Sequence, residues 1–192
     1  MNRGTILVTG GAGYIGSHTV LQLRARGERV VVLDDLSRGF RQAVLDTPLV
    51  VGKVGDRETV LKVLREHGVD TVMHFAAYTI VPESVAEPLK YYGNNTCSTR
   101  NLLECCVEAG VRNFVFSSTA AVYGIPAEGY AAETTATAPI NPYGTSKLMS
   151  EWMLRDVAAA SPLKYVALRY FNVAGSDTGA ASGKRPRKPP CW

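Results

Sequence analysis

The chain has 192 residues, of which 46% are hydrophobic, 20% charged and 8% aromatic, the proportions of one ordinary globular domain with chain enough to bury a core. The formal charge of +4 resides in Lys184, Arg185, Arg187 and Lys188, so residues 1–183 balance to zero and carry no basic footprint for nucleic acid. No apolar run approaches the roughly 20 residues of a membrane-spanning helix, and Met1-Asn2-Arg3-Gly4 leads straight into a strand pattern without a signal-peptide signature, so a cytoplasmic location with no membrane or nucleic-acid partner is expected.

In chain order the pattern is strand, turn, helix, repeated. Residues 5–9 form a short apolar run stopped by Gly10-Gly11, and 14–26 read as a helix. A β-branched run follows over 29–33, then a weaker one over 48–51. Residues 58–67 place Val60, Leu61, Val63 and Leu64 at helical spacing. The remaining elements are a strand over 71–75, helices over 83–92 and 96–109, a strand over 113–116, a helix from Tyr143 and a strand over 165–169. Strands alternating with helices at this spacing predict right-handed βαβ units and a doubly wound, parallel α/β sheet with helices on both faces. From Gly175 the apolar periodicity fades into Gly, Ala, Ser, Pro and cations. One dinucleotide-binding domain over 1–176 is therefore expected, followed by a disordered, basic, Pro-rich tail over 177–192.

Gly10-Gly11-Ala12-Gly13-Tyr14-Ile15-Gly16 lies between the first strand and the first helix. Its glycines fit two overlapping registers, G-x-x-G-x-x-G and G-x-G-x-x-G. Either allows a tight turn, close approach of backbone N–H groups to a pyrophosphate, and a helix N-terminus facing the phosphate charge. Asp34 ends the second strand, 18 residues after Gly16, where a carboxylate accepts from the adenosine ribose hydroxyls and repels a 2′-phosphate. NAD is favoured over NADP, with Arg38 close enough to soften the preference. Asp56 stands evenly between an adenine contact and a helix N-cap.

Tyr143 and Lys147 share one helical face at i and i+4, with Pro142 at the helix start. A phenol titrates near 10, and bringing it to neutrality takes about 4 kcal/mol of phenolate stabilisation. The ammonium one turn away, with a positive nicotinamide ring, is the expected source, which makes Tyr143 a general base. Thr119 follows the strand ending at Phe116, at the edge where open α/β sheets place ligands. Its hydroxyl is expected to share a hydrogen bond with substrate and tyrosine, leaving Ser117 and Ser118 as backbone supports. His18 and His74 read as packing residues, Trp152 as helix packing, and Asn94 and Asn95 as sitting at a helix start where capping competes with binding. Cys97, Cys105, Cys106 and Cys191 show no metal-ligand spacing and read as buried reduced thiols; no metal is expected.

Together with Leu33-Asp-Asp-Leu36, His74-Phe-Ala-Ala77, Glu83-Ser-Val85, Pro88 to Asn95, Val122-Tyr-Gly124, Asn141 to Lys147 and Arg169-Tyr-Phe-Asn172, these motifs resemble the extended short-chain dehydrogenase/reductase family, and within it the nucleotide-sugar epimerases. The likeness runs from residue 5 to about 176. It implies a Rossmann-type fold with NAD as cofactor, lined by Gly10, Gly13, Tyr14, Ile15, Gly16, Asp34, Asp56, Phe75, Ala76, Ala77, Asn95, Tyr143, Lys147 and Phe171. It implies that Tyr143, Lys147 and Thr119 are catalytic, and that Thr119, Tyr143 and Asn172 meet a UDP-sugar. The implied reaction is epimerisation at C4 of a UDP-hexose by reversible hydride transfer through a 4-keto sugar. Relatives that eliminate water look for an acid just after the Thr119 position, where this chain has Ala120 and Ala121.

Family members continue beyond Asn172 into a substrate-binding region and are expected to be homodimers at full length. This chain is expected to be truncated, by a shifted frame or a shortened product. The alternatives are an inactive NAD-binding fragment or another nucleotide-sugar member of the same family.

Overall fold

The computed structural model of the chain describes residues 4–176; the expected tail over 177–192 lies outside the described residues. The short β-branched runs become strands β1 (Thr5–Thr9), β2 (Arg29–Asp34), β3 (Leu49–Val51), β4 (Val69–His74), β5 (Asn113–Ser117) and β6 (Lys164–Leu168). They form one sheet in the order β3-β2-β1-β4-β5-β6, every pair parallel. Between them run α1 (Tyr14–Ala25), α2 (Arg57–Glu66), α3 (Val81–Ala86), α4 (Pro88–Tyr91), α5 (Ser98–Ala109) and α6 (Pro142–Ala160).

Alternation along each strand sorts the core into two layers. Leu7, Val31, Leu33, Val72, Phe114 and Phe116 face α2, α5 and α6, packing on Val60, Leu64, Leu102, Cys106 and Leu154. Val8, Val30 and Val32 face the other way, against Val20 of α1 and Val44 of the 3-10 turn Arg41–Val44. Both sheet faces are covered, which is why the strands read as near-continuous apolar runs.

The single helix expected over 83–92 is instead two. Glu87 sits at φ −129°, ψ 61°, between α3 and α4, because the ring of Pro88 disfavours helical backbone in the residue before it. A π-helical turn, Tyr92–Cys97, then joins α4 to α5, so Asn94 and Asn95 lie inside a continuous helical run and not at a helix start. Cys105 and Cys106 are buried, whereas Cys97 is exposed, and Trp152 is 48% exposed, so its packing is only partial.

The topology positions the site. The chain lays down β1, β2 and β3 toward one edge, then crosses back to place β4 on the other side of β1. Connections leaving the carboxyl ends of β1 and β4 diverge to opposite sides, opening the crevice where doubly wound sheets bind ligands.

Candidate active site

The glycine loop is fitted to that crevice by backbone contact. Gly10 has φ +68°, and a Cβ on it would sit 2.6 Å from the Ala76 nitrogen beyond the end of β4. A Cβ on Gly16 would sit 2.2 Å from the Gly10 carbonyl oxygen, whereas one on Gly13 would meet only that oxygen, at 3.3 Å. Gly10 and Gly16 therefore hold loop, strand and helix together, and Gly13 keeps the approach to the helix end open. Gly13 is the N-cap of α1, with no side-chain cap and no acid in the first turn, so the positive end of the helix is left for an external anion. It borders a cleft of about 420 Å³ whose lining includes Gly10, Asp34, Asp56, Phe75, Ala76 and Ala77.

Asp34 is buried and held from two sides. Oδ2 accepts from Ala12 N at 2.9 Å and Oδ1 from Leu36 N at 2.8 Å, and Leu36 adopts φ +57°, uncommon for a side-chain-bearing residue. Asp56 takes the capping role, accepting from Glu58 N, Thr59 N and, at 2.6 Å, Thr59 Oγ1 at the start of α2, and it also lines the cleft. These bonds hold its carboxyl below the usual range, the Thr59 hydroxyl most of all.

At the carboxyl end of β5, Asn141 caps α6 by accepting from Gly144 N at 2.8 Å, and Pro142 opens the first turn. That start aims Tyr143 and Lys147 at the strand end. Lys147 is buried, donates from Nζ to the Ser117 carbonyl oxygen at 2.7 Å, and lies 4.8 Å from the centre of the Phe116 ring. Burial pulls its ammonium down to about 7, with Glu151 opposing. Burial pushes the Tyr143 phenol up, with the Thr119 hydroxyl opposing. The expected lowering of the phenol by its lysine is thus not built into the chain alone, because Nζ is drawn to a carbonyl and its own charge is disfavoured. Thr119 Oγ1 accepts from Ala121 N at 3.1 Å, and its hydroxyl bonds the Tyr143 phenol, as expected of a group shared with the tyrosine. Ser117 and Ser118 support side chains instead of backbone: Ser117 bonds the Tyr170 hydroxyl and Ser118 the Glu151 carboxylate.

Tyr143, Lys147 and Thr119 fall outside the cleft lining, as do the other expected residues Tyr14, Ile15, Gly16, Asn95, Phe171 and Asn172. Asn95 is buried with its amide satisfied internally: Oδ1 accepts from Tyr78 N at 2.8 Å, and Nδ2 donates to Tyr78 O and Ser146 Oγ. It ties the loop after β4 to α6. Tyr14 donates to the Gly175 carbonyl oxygen at 2.6 Å; Ile15 is half-buried and Asn172 exposed, and Phe171 is 80% exposed. His18 meets the Tyr14 ring edge-on. His74 is buried between Thr9 Oγ1 at 2.6 Å and Thr99 Oγ1 at 2.9 Å.

The motifs passed over a further cluster. Glu151 accepts from Arg169 Nε at 3.0 Å and Nη2 at 2.6 Å, and Arg169 Nη1 donates to the Tyr123 hydroxyl at 3.0 Å. An acid one turn beyond Lys147, among the apolar positions of α6, was the available signal.

A phosphate-ready loop at the switch point of a parallel, doubly wound sheet defines a dinucleotide-binding α/β protein. The chain belongs to the NAD dependent epimerase/dehydratase family, whose match spans residues 6–188. It is 54% identical over 180 residues to a UDP-glucose 4-epimerase of Azospirillum brasilense, covering 93% of this chain and 52% of that protein. Among solved structures it is similar to the UDP-glucose 4-epimerase from Brucella ovis in complex with NAD, with TM-score 0.88 and 45% identity, covering 91% of this chain and 54% of that one. It is likewise similar to the UDP-Glc/GlcNAc 4-epimerase from Campylobacter jejuni, with TM-score 0.86 and 46% identity, covering 96% of this chain and 58% of that one. The chain spans about half the length of the relatives it matches. Among the described residues, no helix is long and apolar enough to cross a membrane.

Proposed function

We propose that this chain binds NAD and carries the catalytic residues for epimerisation at C4 of a UDP-hexose. The observation that carries the reading is the Tyr143–Lys147 pair, held at the carboxyl end of β5 in the same crevice that the Gly10, Gly13 and Asp34 cleft opens into. Gly13 and the uncapped start of α1 would take the pyrophosphate, Asp34 the adenosine ribose, and Asp56 and Phe75 to Ala77 the rest of the adenosine side. Tyr14, Ile15, Asn95 and Phe171 belong to the proposed site through the family likeness, and Asn95 acts by fixing the Tyr78 loop.

NAD held by these residues would supply a reversible hydride acceptor for the carbon that bears the sugar 4-hydroxyl. Tyr143 removes the proton from the sugar 4-hydroxyl and later returns it. Thr119 donates to the same oxygen and fixes the direction of approach. Lys147, poised near neutrality, stabilises the phenolate when charged. Epimerisation would require the 4-keto sugar to present its other face to the same hydride source, with Tyr143 returning the proton to the 4-oxygen. Ala120 and Ala121 supply no acid after Thr119, which favours epimerisation over loss of water. Asn172 would approach the nucleotide-sugar.

The test is turnover of UDP-galactose by the 192-residue chain, alongside its melt with NAD or NADP. UDP-glucose as the product, without a dehydrated sugar, supports the reading; a 4-keto-6-deoxy product overturns it. A ligand at 100 times its dissociation constant adds about 2.7 kcal/mol, so NAD should raise the melt by several degrees. A second reading, an NAD-binding module without turnover, is favoured by the 80% exposure of Phe171. It predicts the NAD-raised melt with no product.

For the full-length form we infer a homodimer. The reading is supported by a groove of about 780 Å³ between α5 and α6, floored by Leu103, Val107, Met153 and Val157, and sedimentation checks it. A cytoplasmic location accompanies the reading, supported by free thiols at Cys97, Cys105 and Cys106.

A further inference from the structure

The loop after β2 brings one cation, Arg38, into the lining of the cleft beside Asp34, Asp35 and Ser37. In dinucleotide sites an arginine so placed accommodates a 2′-phosphate, whereas the acid at the end of β2 serves a free ribose hydroxyl. Arg38 is not free to do so. Its Nη2 lies 2.9 Å from Glu83 Oε2 and 3.2 Å from Oε1, and its guanidinium carbon sits 5.2 Å from the centre of the Tyr78 ring. Glu83 comes from α3, outside the cleft lining, and is itself fixed. Lys90 Nζ donates to Oε1 at 2.8 Å, and the hydroxyl of the buried Tyr91 lies 2.7 Å from Oε2. These donors hold the Glu83 carboxyl down at about 2, Lys90 and Tyr91 most of all, so it stays anionic throughout the physiological range.

We propose that Glu83 is a specificity-determining residue for the dinucleotide: by holding Arg38 against Tyr78 it denies the guanidinium to a 2′-phosphate and leaves Asp34 to set the preference. The inference rests on the NAD-binding reading above and deepens it. Asp34 alone repels a 2′-phosphate, but an arginine in the same lining would offset that repulsion, since guanidinium and phosphate form strong charge-assisted pairs. The Glu83 carboxylate removes the offset. A tie that served only to hold α3 to the loop after β2 would affect both dinucleotides alike, because they differ only at the 2′ position.

The experiment is calorimetric titration of the 192-residue chain with NAD and with NADP, for the unaltered protein, Glu83→Gln, Arg38→Met and the double variant. Glu83→Gln keeps the shape of the side chain and removes its charge. The expected result is a fall of about tenfold in the NAD-to-NADP preference, the scale of one charge-assisted contact, arising from tighter NADP binding. Adding Arg38→Met should restore the preference to within about twofold of the unaltered value, because the cation that Glu83 restrains is gone. NAD and NADP affinities that change together in Glu83→Gln overturn the proposal, as does a loosened preference that survives in the double variant. Should Glu83→Gln fail to melt cooperatively, Glu83→Asp keeps the charge but withdraws its reach and is titrated in its place. Loss of folding in both assigns Glu83 to stability and overturns the proposal. A folded, unaltered chain that takes up no NAD overturns the parent reading and this one together; NAD binding with an unmoved ratio overturns this one alone.

Discussion

Lys147 reaches across from α6 and donates its Nζ hydrogen to the carbonyl oxygen of Ser117, 2.7 Å away at the end of β5. An ammonium buried at that point both fixes the helix to the strand and stands one turn from Tyr143. Replacing it separates the two roles. Lys147→Met fills a similar volume without charge and relieves the desolvation that pulls the amine down to about 7, so the melt should hold or rise. If Lys147 works as proposed, NAD-dependent turnover of a UDP-sugar by Lys147→Met should fall about 10²- to 10⁴-fold, the range of a lost acid–base contribution. The melt together with the single-turnover rate checks it; unchanged turnover would remove Lys147 from the chemistry.

The glycines of the phosphate loop should respond differently to the same methyl group. Gly16→Ala places a Cβ 2.2 Å from a backbone oxygen and should destabilise by about 3 kcal/mol, at the upper end of overpacking costs. Gly13→Ala meets one atom at 3.3 Å and should leave the melt within a few degrees. If Gly13 faces the pyrophosphate, the same change should weaken NAD binding by at least about tenfold. Denaturant unfolding and NAD titration of the two variants distinguish packing from ligand approach.

Stability should fall in mild acid, and His74 should account for part of the slope. Burial holds its imidazole at about 3, with the Lys147 charge adding to the effect, against 6.5 for a free histidine. Between those values the unfolded chain binds a proton that the folded chain does not. The contribution is therefore fully present above pH 6.5 and is lost as pH falls toward 3. Glu83, held at about 2, adds a loss of the same sign below pH 4.5. His74→Gln should flatten the fall in unfolding free energy between pH 6.5 and 5, where the carboxylates contribute least; an unchanged slope would exclude His74 as its source.

What the sequence made legible followed from period and position. Apolar runs such as Arg29-Val-Val-Val-Leu33 read as strands covered on both faces, and the alternation with helices pointed to a parallel, doubly wound sheet, whose strand order came from the structure. The break at Glu87 was readable in principle from Pro88, but the helical periodicity on either side hid it. The π turn at Tyr92–Cys97 had no signal of its own, since Asn94 and Asn95 read as caps of a new helix, whereas tertiary bonds from Asn95 to Tyr78 and Ser146 hold the run continuous. In the site, local motifs marked Gly10, Asp34, Tyr143 and Lys147. Ser117 beside Lys147, Arg38 beside Glu83 and Arg169 beside Glu151 come from distant segments, and no spacing along the chain announces them.

Glu151 and Arg169 form the cluster on which the edge of the site rests. The carboxylate is 8% exposed, the guanidinium 25%, and together they join α6 to the end of β6, to Ser118 and to Tyr123. Removing one member strands the other's charge in a site with little water. Glu151→Leu should therefore cost about 3 kcal/mol, the lower end for a broken buried pair because Arg169 keeps some solvent. Arg169→Met in that background should recover part of the loss, since no charge remains to be solvated. Glu151 also opposes the depression of the Lys147 amine, so Glu151→Gln should move the Lys147 titration below about 7, readable from the pH dependence of NAD-dependent turnover or from the lysine's NMR shift. A double variant no more stable than Glu151→Leu alone would mean that packing, and not the unpaired charge, sets the cost.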